Sequence, residues 1–357
     1  MPCQRNVRVA LQITVCFAVM YASALAEVET VNLTFATPPD SGSETSRTLG
    51  SLTKVQGTAG LQQDALYLVT HFGNRDSLFQ RENQRAIDDP WREDTWRYCS
   101  VFTTSTERSA IMGRNWDNQN VGSIIVSLYT PLGAYASISF SRAIDMGYPL
   151  NLDLEQIKST PLGQKLLLAP FYAVDGINEH GLAVAVAGVR ETTHEPQEGE
   201  QLVFVTFLIR KILDQTKTVD EAVALARTVT PFDLDKRSVN SHLIVADTSG
   251  NSAILEFDEG EWTVTYGEGN SQVLTNKMIH GVSEASLREA CWRYKGISEA
   301  LETTQEAVDW QAALSVLRDA HQKGTTWSVV YLLASRQLYL SVYQDWDTVY
   351  RIRVPGE

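Results

Sequence analysis

The chain has 357 residues, 43% of them hydrophobic and 20% charged, with a formal net charge of −13. That composition can bury a large core and lies far from that of a disordered chain. With 43 acidic residues against 30 basic ones and no basic run, it argues against a surface built to grip nucleic acid or anionic lipid.

Arg5 and Arg8 precede an apolar run, Val9 to Leu25, which closes on Ala24-Leu25-Ala26, the small-x-small pattern of a cleaved export signal. Gln12 and Thr14 interrupt the run and argue against an uncleaved anchor. No later stretch approaches the length of a spanning helix. A periplasmic or secreted protein with no integral membrane span after signal removal is therefore expected. Cys3 and Cys16 would leave with residues 1–26, so only Cys99 and Cys291 remain. Two cysteines make no disulfide framework; they form a single bridge, or one is a thiol kept free for its reactivity.

Residues 27–98 read as a linker and presegment. As far as about Gln62 the segment is rich in Thr, Ser, Gly and Pro, as in Thr37-Pro38-Pro39-Asp40-Ser41-Gly42-Ser43. Ala65 to Phe72 is then apolar and β-prone, and Gly73-Asn74 ends it as a turn would.

From Cys99 the pattern predicts short strands over Ser100–Thr103, Ser109–Met112, Ile124–Tyr129 and Tyr135–Phe140. Leu202–Leu213 shows helical spacing, and Thr218-Val219-Asp220-Glu221 is a capping box that opens a second helix. Strands resume over Ser241–Asp247, Ser252–Phe257, Trp262–Tyr266 and Val273–Thr275, joined by hairpin loops. Helical patches over Ser286–Glu302 and Gln305–His321 lead to final strands at Trp327–Leu333, Gln337–Tyr343 and Thr348–Val354. Segregated strands and helices predict an α+β domain over residues 99–357, with two sheets face to face and helices outside.

Several chemistries find no residues here. The chain has no G-x-S-x-G elbow, no phosphate-binding P-loop and no H-E-x-x-H, and its six histidines lack metal spacing, so no metal or other cofactor is expected. What remains is Tyr98-Cys99-Ser100-Val101-Phe102 followed by Gly113-Arg114-Asn115-Trp116-Asp117. A hairpin would return Arg114 and Asp117 to the cysteine, where a guanidinium favours a thiolate and a carboxylate can hold an ammonium group. By spacing alone, a buried cysteine beside a structural Arg–Asp pair accounts for the cluster more simply.

Cys99-Ser100-x-Phe102 with Gly113-Arg114-Asn115-Trp116-Asp117 resembles the opening of choloylglycine hydrolases, penicillin V acylases and related linear-amide hydrolases, which are N-terminal-nucleophile enzymes. These are in turn related to the acyl-CoA:6-aminopenicillanic acid acyltransferases. Asp175-Gly176-Ile177-Asn178-Glu179-His180-Gly181-Leu182-Ala183 resembles the family's D-G-x-N-E-x-G-L-A element, and His242 to Ala253 its central hairpin. Val273-Leu274-Thr275-Asn276, Cys291-Trp292-Arg293-Tyr294 and Thr326 to Tyr331 continue the match in order.

The resemblance implies a four-layer αββα sandwich and a cysteine amidohydrolase acting on a small N-acyl amide. Cys99 would be the nucleophile, with its own α-amine as base once it begins the chain; an amine near ~8 and a thiol near ~8.5 exchange a proton with little tuning. Arg114 would stabilise the thiolate, Asp117 orient the α-ammonium, Asn276 donate to the oxyanion and Arg293 brace the site, with Arg288 the competing choice for that last role. Some relatives carry a second asparagine after the G-L-A element, where this chain reads Ala185-Val186-Ala187-Gly188-Val189-Arg190; a backbone N–H near Gly188 would have to serve. Cys291 receives no role.

With 72 residues between Ala26 and Cys99, a second cut at Tyr98–Cys99 is required, and the resemblance implies that the thiol makes it. The released piece is expected to stay packed on the catalytic part. Trp116, Tyr129 and Tyr135 are candidates to line an apolar acyl pocket and, equally, to be core. The rival readings are an acyltransferase of the same fold and a catalytically silent secreted binding protein; composition leaves the oligomeric state open, a homo-oligomer included.

Overall fold

The computed structural model describes residues 28–36, 42–55, 65–73, 76–88, 98–106, 109–118, 122–150, 153–233, 238–303 and 308–355. The expected export signal lies outside the described residues. Among those described, no helix is long and apolar enough to cross a membrane.

Ahead of Cys99 come β1 (Glu29–Asn32), α1 (Glu44–Gly50), β2 (Thr53–Lys54), β3 (Leu66–His71) and α2 (Asp76–Asp88). After it come β4 (Ser100–Thr106), β5 (Ser109–Asp117), β6 (Ile124–Tyr129), β7 (Ser137–Arg142), α3 (Leu154–Ile157), β8 (Asp175–Asn178) and β9 (Ala183–Thr193). The middle holds β10 (Leu202–Phe204), α4 (Val205–Gln215), α5 (Val219–Ala226), β11 (Thr230–Phe232), β12 (Ser238–Ala246), β13 (Ser252–Asp258), β14 (Glu261–Tyr266) and β15 (Ser271–Leu274). The chain closes with α6 (Glu284–Ala290), α7 (Trp292–Thr303), α8 (Trp310–Asp319), β16 (Thr325–Leu332), β17 (Gln337–Val342) and β18 (Thr348–Arg353).

One sheet runs β1-β18-β17-β16-β5-β4-β15 and the other β14-β13-β12-β9-β8-β7-β6-β3-β2; β10 and β11 form a separate pair. Helix α4 packs on β8 and β9 of the second sheet, while α7 packs on β4 and β15, and α8 on β5 and β16, of the first. The inner faces meet where Asp175 of β8 bonds Tyr331 and Trp327 of β16. The layers are thus helix, sheet, sheet, helix. Being covered on both faces explains why Ala183–Ala187 and Leu243–Ala246 are continuous apolar runs rather than alternating ones.

Two local signals act as the sequence predicts. The Thr218 hydroxyl accepts from the Glu221 N–H and caps α5. The hairpin β4–β5 pairs Val101 with Arg114 and Ser100 with Asn115. Gly113 lies opposite Phe102 in that ladder, and a Cβ there would come within 2.5 Å of the phenyl ring, so the close strand approach requires glycine.

Three expectations are corrected. The described part of the expected linker, residues 28–36 and 42–55, holds strands: β1 pairs in parallel with β18, and β2 pairs with β3, which pairs in parallel with β6. The stretch before Cys99 therefore supplies edge strands to both sheets, and all six residues of β3 are buried. Leu202–Phe204 is strand before α4 begins. The helical patch 286–302 breaks at Cys291, which is extended between α6 and α7. Both Cys99 and Cys291 are buried free thiols, so the single bridge is not formed.

Candidate active site

The β4–β5 ladder reaches back past its last full strand pair: the Tyr98 N–H donates to the Asp117 carbonyl at 3.1 Å. Register therefore holds the Tyr98–Cys99 junction beside the end of β5. Tyr98 is 50% exposed and Cys99 is 0% exposed, so the peptide bond between them lies at the boundary between solvent and core.

Arg114 is fully buried, and its Nη2 donates to the Cys99 Sγ at 3.6 Å. Nη1 donates to the Val174 carbonyl and forms an ion pair with the Asp175 carboxylate, each at 2.9 Å. The guanidinium also lies 4.6 Å from the centre of the Trp116 ring. Asp175 accepts in addition from the Tyr331 hydroxyl at 2.6 Å and the Trp327 indole at 3.3 Å. Burial pushes the Asp175 carboxyl up, and Arg114, Tyr331 and Trp327 pull it back. This carboxylate was visible in the sequence only as the first letter of the D-G-x-N-E element; its role as the counter-ion of Arg114 was missed.

On the other side of the cysteine, Arg293 at the start of α7 makes three contacts. Nη1 donates to the Cys99 carbonyl at 2.6 Å and to Asp117 Oδ2 at 3.4 Å, and Nη2 donates to Asn276 Oδ1 at 2.6 Å. Arg288, the competing choice, instead faces Glu284 and Glu302 at the surface. Asp117 also accepts from the Thr325 hydroxyl at 2.5 Å and the Gln322 amide at 2.9 Å, two partners the sequence did not point to.

Electrostatics follow from burial. Desolvation pushes the Cys99 thiol up; Arg114 and the Asp117 backbone N–H pull it down while the Asp117 charge adds to the rise, and the net direction is upward. Asp117 is likewise raised by burial despite Thr325, Gln322 and Arg293. Burial thus favours the neutral thiol over the thiolate.

Asn276 follows β15 and donates through Nδ2 to the Gly188 carbonyl at 2.6 Å. Gly188, where a second N–H donor was expected, thus presents its carbonyl to Asn276. The structure brings Cys99, Arg114, Asp117, Asn276 and Arg293 together.

It does not bring the three aromatic candidates into that group as a pocket. Trp116 is fully buried, stacked on Trp327 at 5.1 Å, and Tyr129 is core between His71, Phe171 and Arg210. Tyr135 packs on His180 at the far end of the sandwich. Register sets that end: Tyr129 pairs with Ser137 and Ser137 with Asn178, while nearby Gly181, at φ +79°, lies against the Leu333 carbonyl. Leu333 bonds Ala110 at the opposite end of β5 from Asp117.

A family model described as acyl-coenzyme A:6-aminopenicillanic acid acyl-transferase matches residues 169–356, just over half the chain and all of it after Asp117. Penicillin V acylase of Pectobacterium atrosepticum is 30% identical over 144 residues, which span 38% of this chain and only 38% of that protein. Penicillin V acylase from Agrobacterium tumefaciens superposes with a TM-score of 0.54 at 17% identity, over 71% of this chain and 86% of that one. A mutant of conjugated bile acid hydrolase from Clostridium perfringens gives 0.53 at 15% identity, over 72% and 92%. At such identities these two likenesses establish the fold, the N-terminal-nucleophile sandwich of penicillin V acylases and bile acid hydrolases.

Proposed function

Because the chain belongs to the acyl-coenzyme A:6-aminopenicillanic acid acyl-transferase family, we propose that it is an exported cysteine amidase that frees its own nucleophile and then cleaves linear C–N amides of N-acyl substrates. The observation that carries this reading is the Cys99 junction, with Arg114 on its sulfur and Arg293 on its carbonyl. In the first step Sγ attacks the Tyr98 carbonyl, its proton passes to the Cys99 nitrogen, and the C–N bond breaks to leave a thioester. Water hydrolyses the thioester, giving a Tyr98 carboxylate and a Cys99 that carries both a thiol and an α-amine.

That amine then takes the thiol proton and Sγ attacks the substrate carbonyl. Arg114 stabilises the anionic sulfur, Asp117 holds the α-ammonium, and the Asn276 amide donates to the tetrahedral oxyanion. The amine product leaves with the proton, and water releases the acid from the thioester. The named activities of the similar proteins suggest apolar acyl groups of the penicillin V and bile acid kind. Strands β1 and β3 bind the piece before Cys99 to β18 and β6, which supports its retention after cleavage. The family description favours one second reading, transfer of the acyl group to an amine in place of water.

The test is turnover of a panel of N-acyl amides, penicillin V and a conjugated bile acid among them, with mass analysis of the peptide that begins at Cys99. Amine release and an acyl adduct on that peptide, both absent in Cys99→Ala, are expected. No turnover of any panel member by the cleaved wild type, or equal turnover by Cys99→Ala, overturns the reading; adding a competing amine separates hydrolysis from transfer.

A further inference from the structure

Beneath the Asn276 loop lies a polar pair that the reaction steps above leave unused. His242 on β12 and Glu256 on β13 are 1% exposed each, in an interior where such groups persist only with partners. His242 Nδ1 lies 2.9 Å from Glu256 Oε1, and His242 Nε2 lies 2.7 Å from the Thr275 carbonyl, one residue before Asn276. Glu256 also accepts from the Ile279 N–H through Oε1 at 2.9 Å and from the His280 N–H through Oε2 at 2.7 Å.

Hydrogen-bond accounting fixes the roles. A carbonyl only accepts, so Nε2 carries a proton; an ionised carboxylate only accepts, so Nδ1 carries one as well. With Glu256 ionised, both ring nitrogens donate. Burial alone would raise the Glu256 carboxyl, but the His242 bond and the His280 and Ile279 amides bring it below its ordinary range, in keeping with an anion.

We propose that His242 and Glu256 are positioning residues that clamp the loop 275–280 from both ends and so aim the Asn276 amide at the oxyanion of the tetrahedral intermediate that leads to the acyl-enzyme. The clamp rests on the amidase reading for its consequence, though not for its geometry. One end of the loop is held by its carbonyl and the other by two N–H groups, while Asn276 between them is braced sideways by Arg293 and Gly188. Substitution Glu256→Gln keeps size but turns one acceptor into a donor. Whichever way the amide sits, the Ile279 or the His280 N–H then faces another N–H, and that end of the loop is released.

The test has two arms. In protein labelled with ¹⁵N-histidine, the His242 ring, assigned by its loss in His242→Gln, is expected to show both nitrogens protonated at pH 7.5; an unprotonated nitrogen overturns the clamp as drawn. In E256Q, formation of the acyl-enzyme is expected to slow by about tenfold to a hundredfold, through kcat rather than KM, as for a misaimed oxyanion donor. Alkylation of Cys99 by iodoacetamide, which needs the sulfur and Arg114 but no oxyanion donor, is expected to keep its wild-type rate. Acylation at the wild-type rate, or an equal fall in both reactions, overturns the positioning role. A wild type that forms no acyl-enzyme removes the amidase reading instead, and the ring spectrum still decides the clamp.

Discussion

Two arginines flank Cys99 and do different physical jobs. Arg114 lies between the sheets, touches the sulfur, and has its charge matched by Asp175 at 2.9 Å with both side chains fully buried. Arg293 reaches in from a helix outside the sheets and spends its donors on a backbone carbonyl, a carboxylate and an amide oxygen. The first acts chiefly on the potential at the Cys99 sulfur, and the second on where Cys99, Asp117 and Asn276 stand. A guanidinium suits both, because it is always charged and its fork of donors is rigid. The contrast teaches that two cationic centres beside one thiol need not do the same work: Arg114 touches the sulfur, although Asp175 discounts its charge, whereas Arg293 adds a smaller downward pull on the thiol and bonds the groups around it.

The largest break in this comparison comes from Asp175→Asn in a Cys99→Ala background, where no cleavage intervenes. It leaves Arg114 buried without its counter-charge, and unfolding in urea should show a loss of about 3–5 kcal/mol; a loss under about 1 kcal/mol would mean that the pair is not the anchor drawn here. Next comes Arg293→Lys, which keeps the charge but not the fork. Self-cleavage should slow by at least about tenfold, since misplaced groups cost rate steeply, while Cys99 alkylation stays near the wild-type rate; equal slowing of both would erase the division of labour between the two arginines.

Thr325→Val sharpens the geometry side. It removes a donor to Asp117, whose carboxyl is already raised by burial, and so raises it further. In the proposed mechanism Asp117 is ionised to hold the α-ammonium, so the acid limb of the turnover profile should move to higher pH; an unmoved limb would assign that limb to another group. The smallest effect belongs to Arg288→Ala. Its partners Glu284 and Glu302 are exposed, so stability should change by no more than about 1 kcal/mol, with self-cleavage unaltered.

The same contrast explains what could be read in the sequence. The Cys99 hairpin was legible because short β-rich runs bracket a turn, and the strand Ile124–Tyr129 was legible to the residue. The α5 cap was legible for the same reason: its chemistry is local. The counter-ion Asp175 was not, because its partner Arg114 sits far earlier in the chain, in the other sheet, and only packing brings the two together. Strand β1 was missed because Glu29-Thr30-Val31-Asn32 has no strong pattern of its own and owes its place to main-chain bonds with β18 at the other end of the chain. Trp116 and Tyr129 show a further limit. Aromatics in strands look alike whether they face a ligand or a core, and here they are buried.

In the proposed mechanism Cys99 cuts the bond before it and thereby becomes the working nucleophile. The direct measurement is the intact mass of purified wild type beside Cys99→Ala under denaturing conditions. Two pieces are expected from the wild type, divided between Tyr98 and Cys99, which co-elute under native conditions because β1 and β3 stay in their sheets, and one uncut chain from the mutant. A wild type that turns over N-acyl amides while remaining a single uncut chain across Tyr98–Cys99 would contradict it.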